Sequence, residues 1–384
     1  MTRILKLNAI SPLADGVFAG CEYSDSVKNP DGIMVRSAAM ADYETGANLL
    51  AVARAGAGTN NIPVAAYAEK GIVVFNTPGA NANAVKELVL CELFLGGRKI
   101  IDAVEWVKTV KNEENLSKLV EKGKSKFVGG EIYGKTLGVI GLGAIGIAVA
   151  NAAYALGMNV IGVDPYLSTA NALLLNPAVK VAATREEVYA KADYITVHVP
   201  LTPDTVGHFN RQTISQMKDG AVLINNSRGE LADADAVKEA LESGKLGRYI
   251  TDFPDAKLID VPNAICVPHL GASTPEAEDN CAVMAARQLK DYIDNGNIVN
   301  SVNYPSVTAE REGKARICIH HKNVANMIAQ FTAAVSKKGL NIANMTDKSK
   351  GDYAYCIIDV DSEVDPSLAA DIAAIGGVIR VRVI

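Results

Sequence analysis

The chain has 384 residues, 49% hydrophobic and 21% charged, with a formal net charge of -5. At roughly 150 residues per domain this length implies two or three domains, and the composition excludes disorder over most of it. The acidic balance argues against a general nucleic-acid or anionic-membrane binder, since a phosphate polyanion meets a strongly basic face, but it leaves room for a local basic pocket.

From Ile4 to about Asn76, short apolar runs alternate with helical stretches: GIMVRS, a helix-like ADYETGANLLAVARAG, then GIVVFN. Fully buried parallel strands read as continuous apolar segments, so this part predicts an α/β unit. Pro78 and Gly79 break the pattern. From about Ala82 to Val110, positions at helical spacing (Val85, Leu88, Val89, residues 92–95, Ile100, Ile101, Val104), interrupted at Gly96-Gly97, predict a long helix or helix pair. After a charged stretch, KTLGVIGLGAIGIAVANAAYALGMNVIGVDP predicts strand, glycine turn, helix and strand, and YITVHV, AVLINNS and AICVP add strands. A second doubly wound domain of five or six strands follows, ending near a helix that starts at Pro275.

The tail from about Lys314 has its own rhythm, strand-helix-strand-strand-helix-strand, which is the ferredoxin-like βαββαβ arrangement. The expected fold is therefore α/β: two doubly wound parallel-sheet, Rossmann-like domains and a small C-terminal domain. The boundaries are placed at 1–97 with 283–308, at 98–282, and at 314–384.

Six scattered cysteines with no CxxC pair suggest neither a zinc site nor a disulfide framework, so no metal is expected and a reducing cytoplasm fits. The N-terminus interrupts any signal core with charge and turn formers, and no 18-residue apolar run is present, which also points to the cytosol.

Gly141-Leu142-Gly143-Ala144-Ile145-Gly146 lies between the apolar run LGVI and a helical pattern, the context a dinucleotide site demands. Gly141 permits the tight turn, Gly143 lets backbone approach a pyrophosphate, and Gly146 lets the helix pack on its strand. Asp164 closes the next strand, where a carboxylate accepts from ribose hydroxyls and repels a 2′-phosphate, favouring NAD over NADP. Arg228, in INNSRGE, and His269, in AICVPHLGAST, each follow an apolar strand, at the end of the sheet where ligands bind. A guanidinium suits a substrate carboxylate, and imidazole suits proton exchange with a hydroxyl near neutral pH.

VIGLGAIG, HVPLTPDT, NNSRGE and PHLGAST, in this order and spacing, resemble the D-isomer-specific 2-hydroxyacid dehydrogenase family. The front motifs VRSAAM, RAGAGTNNI and NTPGANA resemble its branch acting on D-3-phosphoglycerate, with 3-phosphohydroxypyruvate as product and serine synthesis as the destination. The resemblance implies that Arg228 holds the substrate carboxylate and carbonyl and that His269 is the acid/base at the C2 hydroxyl. It implies NAD contacts at Gly141, Gly143, Ala144, Ile145, Gly146, Asp164, Pro200, Ser227 and Asp252. It implies substrate contacts at Ser37, Arg54, Asn76, Gly79 and Asn81, with Arg54 at the phosphate end. The family's DVFxxE glutamate, which pairs with the histidine, aligns here with Ala256 in Thr251-Asp252-Phe253-Pro254-Asp255-Ala256, leaving Asp255 as the nearest carboxylate that could serve.

The tail resembles an ACT domain, which pairs with a copy of itself and binds amino acids at the interface. His321, Asn323 and Asn341 match positions that bind a serine effector in such dehydrogenases, and a homodimer or homotetramer is implied. Two alternatives stay open: a glycerate dehydrogenase or hydroxypyruvate reductase without phosphate selectivity, and a non-catalytic NAD-sensing binding protein, for which the missing glutamate is the foothold.

Overall fold

The apolar runs become three sheets in a computed structural model that describes residues 1–384 and divides into two units, 1–81 with 275–384 and 82–274. In the first unit, β1 (Arg3–Leu7), β2 (Glu22–Ser24), β3 (Gly32–Val35), β4 (Ala51–Arg54) and β5 (Val73–Phe75) form a parallel sheet in the order β2-β1-β3-β4-β5. The helix Pro275–Asn295 packs Ala282, Ala285, Leu289 and Tyr292 into the core that holds Ile4, Met34 and Phe75. The helix expected over ADYETGANLLAVARAG does not form. Residues 41–50 are turns and loop, and the apolar end of the segment is β4, buried between β3 and β5. A short apolar run carries no period that separates strand from helix, and sheet burial decides it.

The tail belongs to the same unit. Its strands β13 (Ala315–Lys322), β14 (Ile342–Lys350), β15 (Tyr353–Val360) and β16 (Val378–Val383) form an antiparallel sheet ordered β14-β15-β13-β16, as the βαββαβ pattern requires. Alternation along β13 splits its two faces. Ile317 and Ile319 meet Phe331 and Leu368 of the two tail helices, while Cys318, with Tyr355 and Ile357 of β15, joins the core around Phe75 and Tyr292. His320 lies fully buried among the rings of Tyr292, Tyr304 and Tyr355, with Tyr292 Oη 3.1 Å from its Nε2. Arg316 and Asp359, both fully buried, form a two-pronged ion pair of 2.6 and 2.7 Å, and Arg316 also donates to the carbonyls of Asn295, Ala309 and Glu310.

The second unit opens with the helices Ala82–Gly97 and Ile100–Thr109, broken at the predicted glycine pair. Its sheet contains β6 (Thr136–Ile140), β7 (Asn159–Val163), β8 (Lys180–Val181), β9 (Tyr194–Val197), β10 (Ala221–Asn225), β11 (Leu246–Thr251) and β12 (Ala264–Cys266). The order is β12-β11-β10-β9-β6-β7-β8, all parallel, so connectivity reverses between β6 and β9. Seven strands exceed the five or six expected, because β8 has two residues and Gly247-Arg248 interrupt β11's apolar run. The unit boundaries fall at 82 and 275 instead of 98 and 283. Val85, Val89 and Leu93 of the first helix pack into the second unit's core, and the residues of helix 275–295 from Cys281 onward pack into the first's.

Candidate functional site

All the chemistry-bearing loops of the second unit leave the carboxyl ends of its strands, where an open parallel sheet presents its ligand crevice. Gly141 follows β6 with φ +93°, and a Cβ there would come 2.5 Å from the His198 carbonyl oxygen. At Gly146 a Cβ would come 1.9 Å from the Gly141 oxygen, so both sites need glycine to pack the helix Ala144–Ala155 against its strand. Gly143, the residue before that helix, faces open space: nothing lies within 4 Å of where its Cβ would be. This leaves the helix N-terminus free to meet a pyrophosphate. Asp164, at the end of β7, accepts from the N–H groups of Leu142 (2.9 Å) and Tyr166 (2.8 Å), which orients its carboxylate at the glycine turn. The residues present therefore fit a dinucleotide. Ser227 Oγ donates to the Val197 carbonyl at 2.7 Å and ties the loop after β10 to the end of β9, and exposed Pro200 follows in the β9 loop.

Arg228 and His269 come from the ends of β10 and β12, with β11 between them. Phe253, just past β11, joins the two: the His269 ring lies 4.6 Å from its centroid and the Arg228 guanidinium carbon 5.9 Å. Both polar side chains are exposed. His269 holds φ +42°, a left-handed conformation uncommon outside glycine, fixed by its N–H donating to the Asp252 carbonyl at 2.7 Å.

Asp255 Oδ1 accepts from the Lys257 N–H at 2.8 Å, closing its own turn. The carboxylate that senses His269 is Asp252, 1% exposed, with Oδ2 accepting from Gly271 N–H at 2.9 Å. Burial raises its pKa, while the Gly271 N–H and the charges of His269 and Arg228 work in the opposite direction. Sequence reasoning missed the acid behind it. Glu92 is 2% exposed, and burial pushes its carboxyl up to about 8, opposed by the hydrogen bond from Asn226 and reinforced by the charge of Asp252. The available signal was a carboxylate inside the apolar stripe Val85, Val89, Leu93.

In the first unit, Ser37, Arg54 and Asn76 follow or end β3, β4 and β5 at the carboxyl end of that sheet, and Gly79 (φ +82°) turns the chain after them. Arg54 Nε donates to the Arg36 carbonyl at 3.1 Å, and its guanidinium lies where a Cβ on Gly56 would sit, 1.9 Å from Nη1. Ser37 Oγ accepts from Asn8 at 3.4 Å, Asn76 Nδ2 donates to Ala57 O at 2.6 Å, and Asn81 Oδ1 is buried with no hydrogen-bond partner.

The three tail residues are not brought together within one chain. His321 and Asn323 stand where β13 meets Ala354 and Tyr353, whereas Asn341 precedes Ile342, which pairs with Val360. Six residues of β15 separate the two places, about 20 Å along a strand. His321 is buried, its ring nitrogens 2.8 Å from Asp347 Oδ2 and 2.9 Å from Lys322 O; Asn323 donates to Gly351 O and Asn341 to Asp361.

Residues 97–271, which contain the glycine turn, match the D-isomer specific 2-hydroxyacid dehydrogenase, NAD binding domain. The chain is 34% identical over 383 residues to a D-3-phosphoglycerate dehydrogenase of Haemophilus influenzae, covering 95% of this chain and 89% of that protein. It is 37% identical over 304 residues to one of Methanocaldococcus jannaschii, covering 77% of this chain and 56% of the relative. It thus spans about half the length of that relative, and of a similar one from Synechocystis. Among solved structures, an NAD+-bound 3-phosphoglycerate dehydrogenase from Entamoeba histolytica superposes with a TM-score of 0.61 at 26% identity, over 78% of this chain and 98% of that one.

Proposed function

The chain belongs to the D-isomer specific 2-hydroxyacid dehydrogenase family, and we propose that it interconverts D-3-phosphoglycerate and 3-phosphohydroxypyruvate with NAD, the first step of serine synthesis. The observation that carries this reading is the placement of Arg228 and His269 both against Phe253, at the end of the same sheet that carries the glycine turn. NAD, when bound, supplies the hydride acceptor. His269 takes the C2 hydroxyl proton as the alcohol is oxidised and returns it in reduction. Arg228 holds the substrate carboxylate by its two-pronged donor geometry, and Arg54 of the front unit takes the phosphate. A fixed cationic contact at the carboxylate of so small a substrate keeps its C2 in a reactive position.

The same reading extends to regulation and assembly. Serine acts through the ACT-like tail, with His321 and Asn323 of one copy facing Asn341 of another, since the two places lie at opposite ends of one sheet. The enzyme works as a homodimer or homotetramer. The helix Ile100–Thr109, which buries none of its residues and exposes Ile100, Ile101, Val104 and Val107, supports a further contact between copies. Six free cysteines support a cytoplasmic site of action, and no helix is long and apolar enough to cross a membrane.

The test is oxidation of NADH with 3-phosphohydroxypyruvate, beside hydroxypyruvate and 2-oxoglutarate. Turnover that favours the phosphorylated acid and is selectively lost in Arg54→Ala is expected. Equal use of hydroxypyruvate would make the chain a hydroxypyruvate reductase, and NADH binding without turnover of any of the three would make it a nucleotide sensor. Serine inhibition of the full chain that Asn341→Ala leaves intact would remove the tail from regulation.

A further inference from the structure

One asparagine in the second unit joins the buried Glu92 carboxyl to the backbone of buried Asp252. Asn226 Nδ2 donates to Glu92 Oε2 at 2.6 Å, and Asn226 Oδ1 accepts the Asp252 N–H at 3.2 Å. Asp252 in turn receives the His269 N–H on its carbonyl and the Gly271 N–H on Oδ2. Asn226 stands two residues before Arg228. A continuous set of hydrogen bonds thus runs from the helix Ala82–Gly97 through the loop that carries Arg228 to the loop that carries His269. Glu92 Oε1 and Asp252 Oδ1 are both buried without a hydrogen-bond partner, and an unpaired buried oxygen needs an explanation.

We propose that Glu92 is a positioning residue for the dehydrogenase reaction, fixing the Asn226 carboxamide so that the Arg228 and His269 loops keep their registration. The direction of the amide carries the argument. Oδ1 must face the Asp252 N–H, so Nδ2 must face an acceptor, and on the helix only Glu92 supplies one. An apolar side chain there would leave a buried donor unpaired and favour reorientation of the carboxamide.

The charge state of Glu92 matters as well. Asp252 faces Glu92, and His269 and Arg228 face Asp252. Burial pushes the Glu92 carboxyl up to about 8, the hydrogen bond from Asn226 opposes it, and the charge of Asp252 adds to it, so Glu92 is protonated at neutral pH. At higher pH, a second negative charge enters the site behind Asp252 and loosens the registration.

The inference rests on the proposed hydride transfer for its kinetic readout, and a second readout is independent of turnover. The kinetic test compares wild type, Glu92→Gln and Glu92→Leu for kcat and KM with NADH and 3-phosphohydroxypyruvate across pH. Glu92→Gln keeps a neutral acceptor of the same shape, so kcat at neutral pH stays within about threefold of wild type and the alkaline inflection disappears. Glu92→Leu lowers kcat by about tenfold or more with KM for NADH little changed. The second readout is the His269 ring resonance followed by NMR: it shows an inflection near pH 8 in wild type that Glu92→Gln abolishes. Folded Glu92→Leu with wild-type kcat, or Glu92→Gln that retains both inflections, overturns the proposal. If Glu92→Leu does not fold, Glu92→Gln alone decides. A wild type that binds NADH but reduces no keto acid overturns the proposed function, and the NMR titration then decides the role of Glu92.

Discussion

The backbone N–H of His269 donates to the carbonyl of Asp252 at 2.7 Å, and this bond holds the histidine in its left-handed conformation beside Phe253. The imidazole is thereby aimed by backbone and by the tilted Phe253 ring beside it.

Replacing His269 by Ala removes the proposed proton acceptor and lowers kcat by about 10²- to 10⁴-fold, with NADH affinity unchanged. Replacing Arg228 by Lys keeps the charge but loses the two-pronged geometry, so KM for the keto acid rises and kcat falls. Steady-state kinetics paired with NADH fluorescence titration check both.

Asp164 accepts two backbone N–H groups at the glycine turn. Asp164→Ala removes the proposed anionic acceptor for the ribose, weakening NADH by roughly ten- to a hundredfold at about 1.5–3 kcal/mol for a charged hydrogen bond. It also narrows the preference over NADPH, since the charge that repels a 2′-phosphate is gone. Titrating both nucleotides tests this.

Acid should destabilise the first unit through His320. Burial depresses its pKa well below 6.5, and the cations Arg380 and Arg382, with His321, push the same way. Tyr292, Tyr304 and Tyr355 enclose it. A depressed folded-state pKa gives stability that is present above the unfolded value of 6.5 and lost as pH falls towards the folded one. The slope approaches about 1.4 kcal/mol per pH unit for one group. Tm measured from pH 7 down to 5 falls in wild type, and His320→Phe, which keeps the aromatic packing, flattens the dependence.

The Arg316 and Asp359 pair is fully buried, so removing one partner strands the other. Arg316→Met is expected to cost about 3–5 kcal/mol, and adding Asp359→Leu to recover much of it, because an apolar pair replaces a stranded charge. Denaturant unfolding of the single and double variants measures the difference.

The parallel sheets, the glycine turn and the tail's βαββαβ order were legible because continuous apolar runs and glycine spacing carry them directly. Arg228 and His269 were legible because each follows such a run. The segment 41–54 was misread because four residues of β4 show no period. Asp255 was singled out by proximity in sequence, which says nothing of direction; its Oδ1 accepts the Lys257 N–H. Glu92 was invisible as a site residue because its partner, Asn226, lies 134 positions away.

The tail is built into its neighbour. Cys318, Tyr355 and Ile357 complete the cluster containing Phe75 and Tyr292, Arg380 donates to the carbonyls of Leu49 and Ala47, and Lys322 pairs with Glu69. Cutting the chain before the tail would peel open the wall of the substrate-side domain, so a shortened protein would lose activity for reasons unrelated to any effector. A tail built this way cannot be transplanted or deleted as a module. Any displacement of β13 or β16 is passed directly to the sheet that carries Arg54.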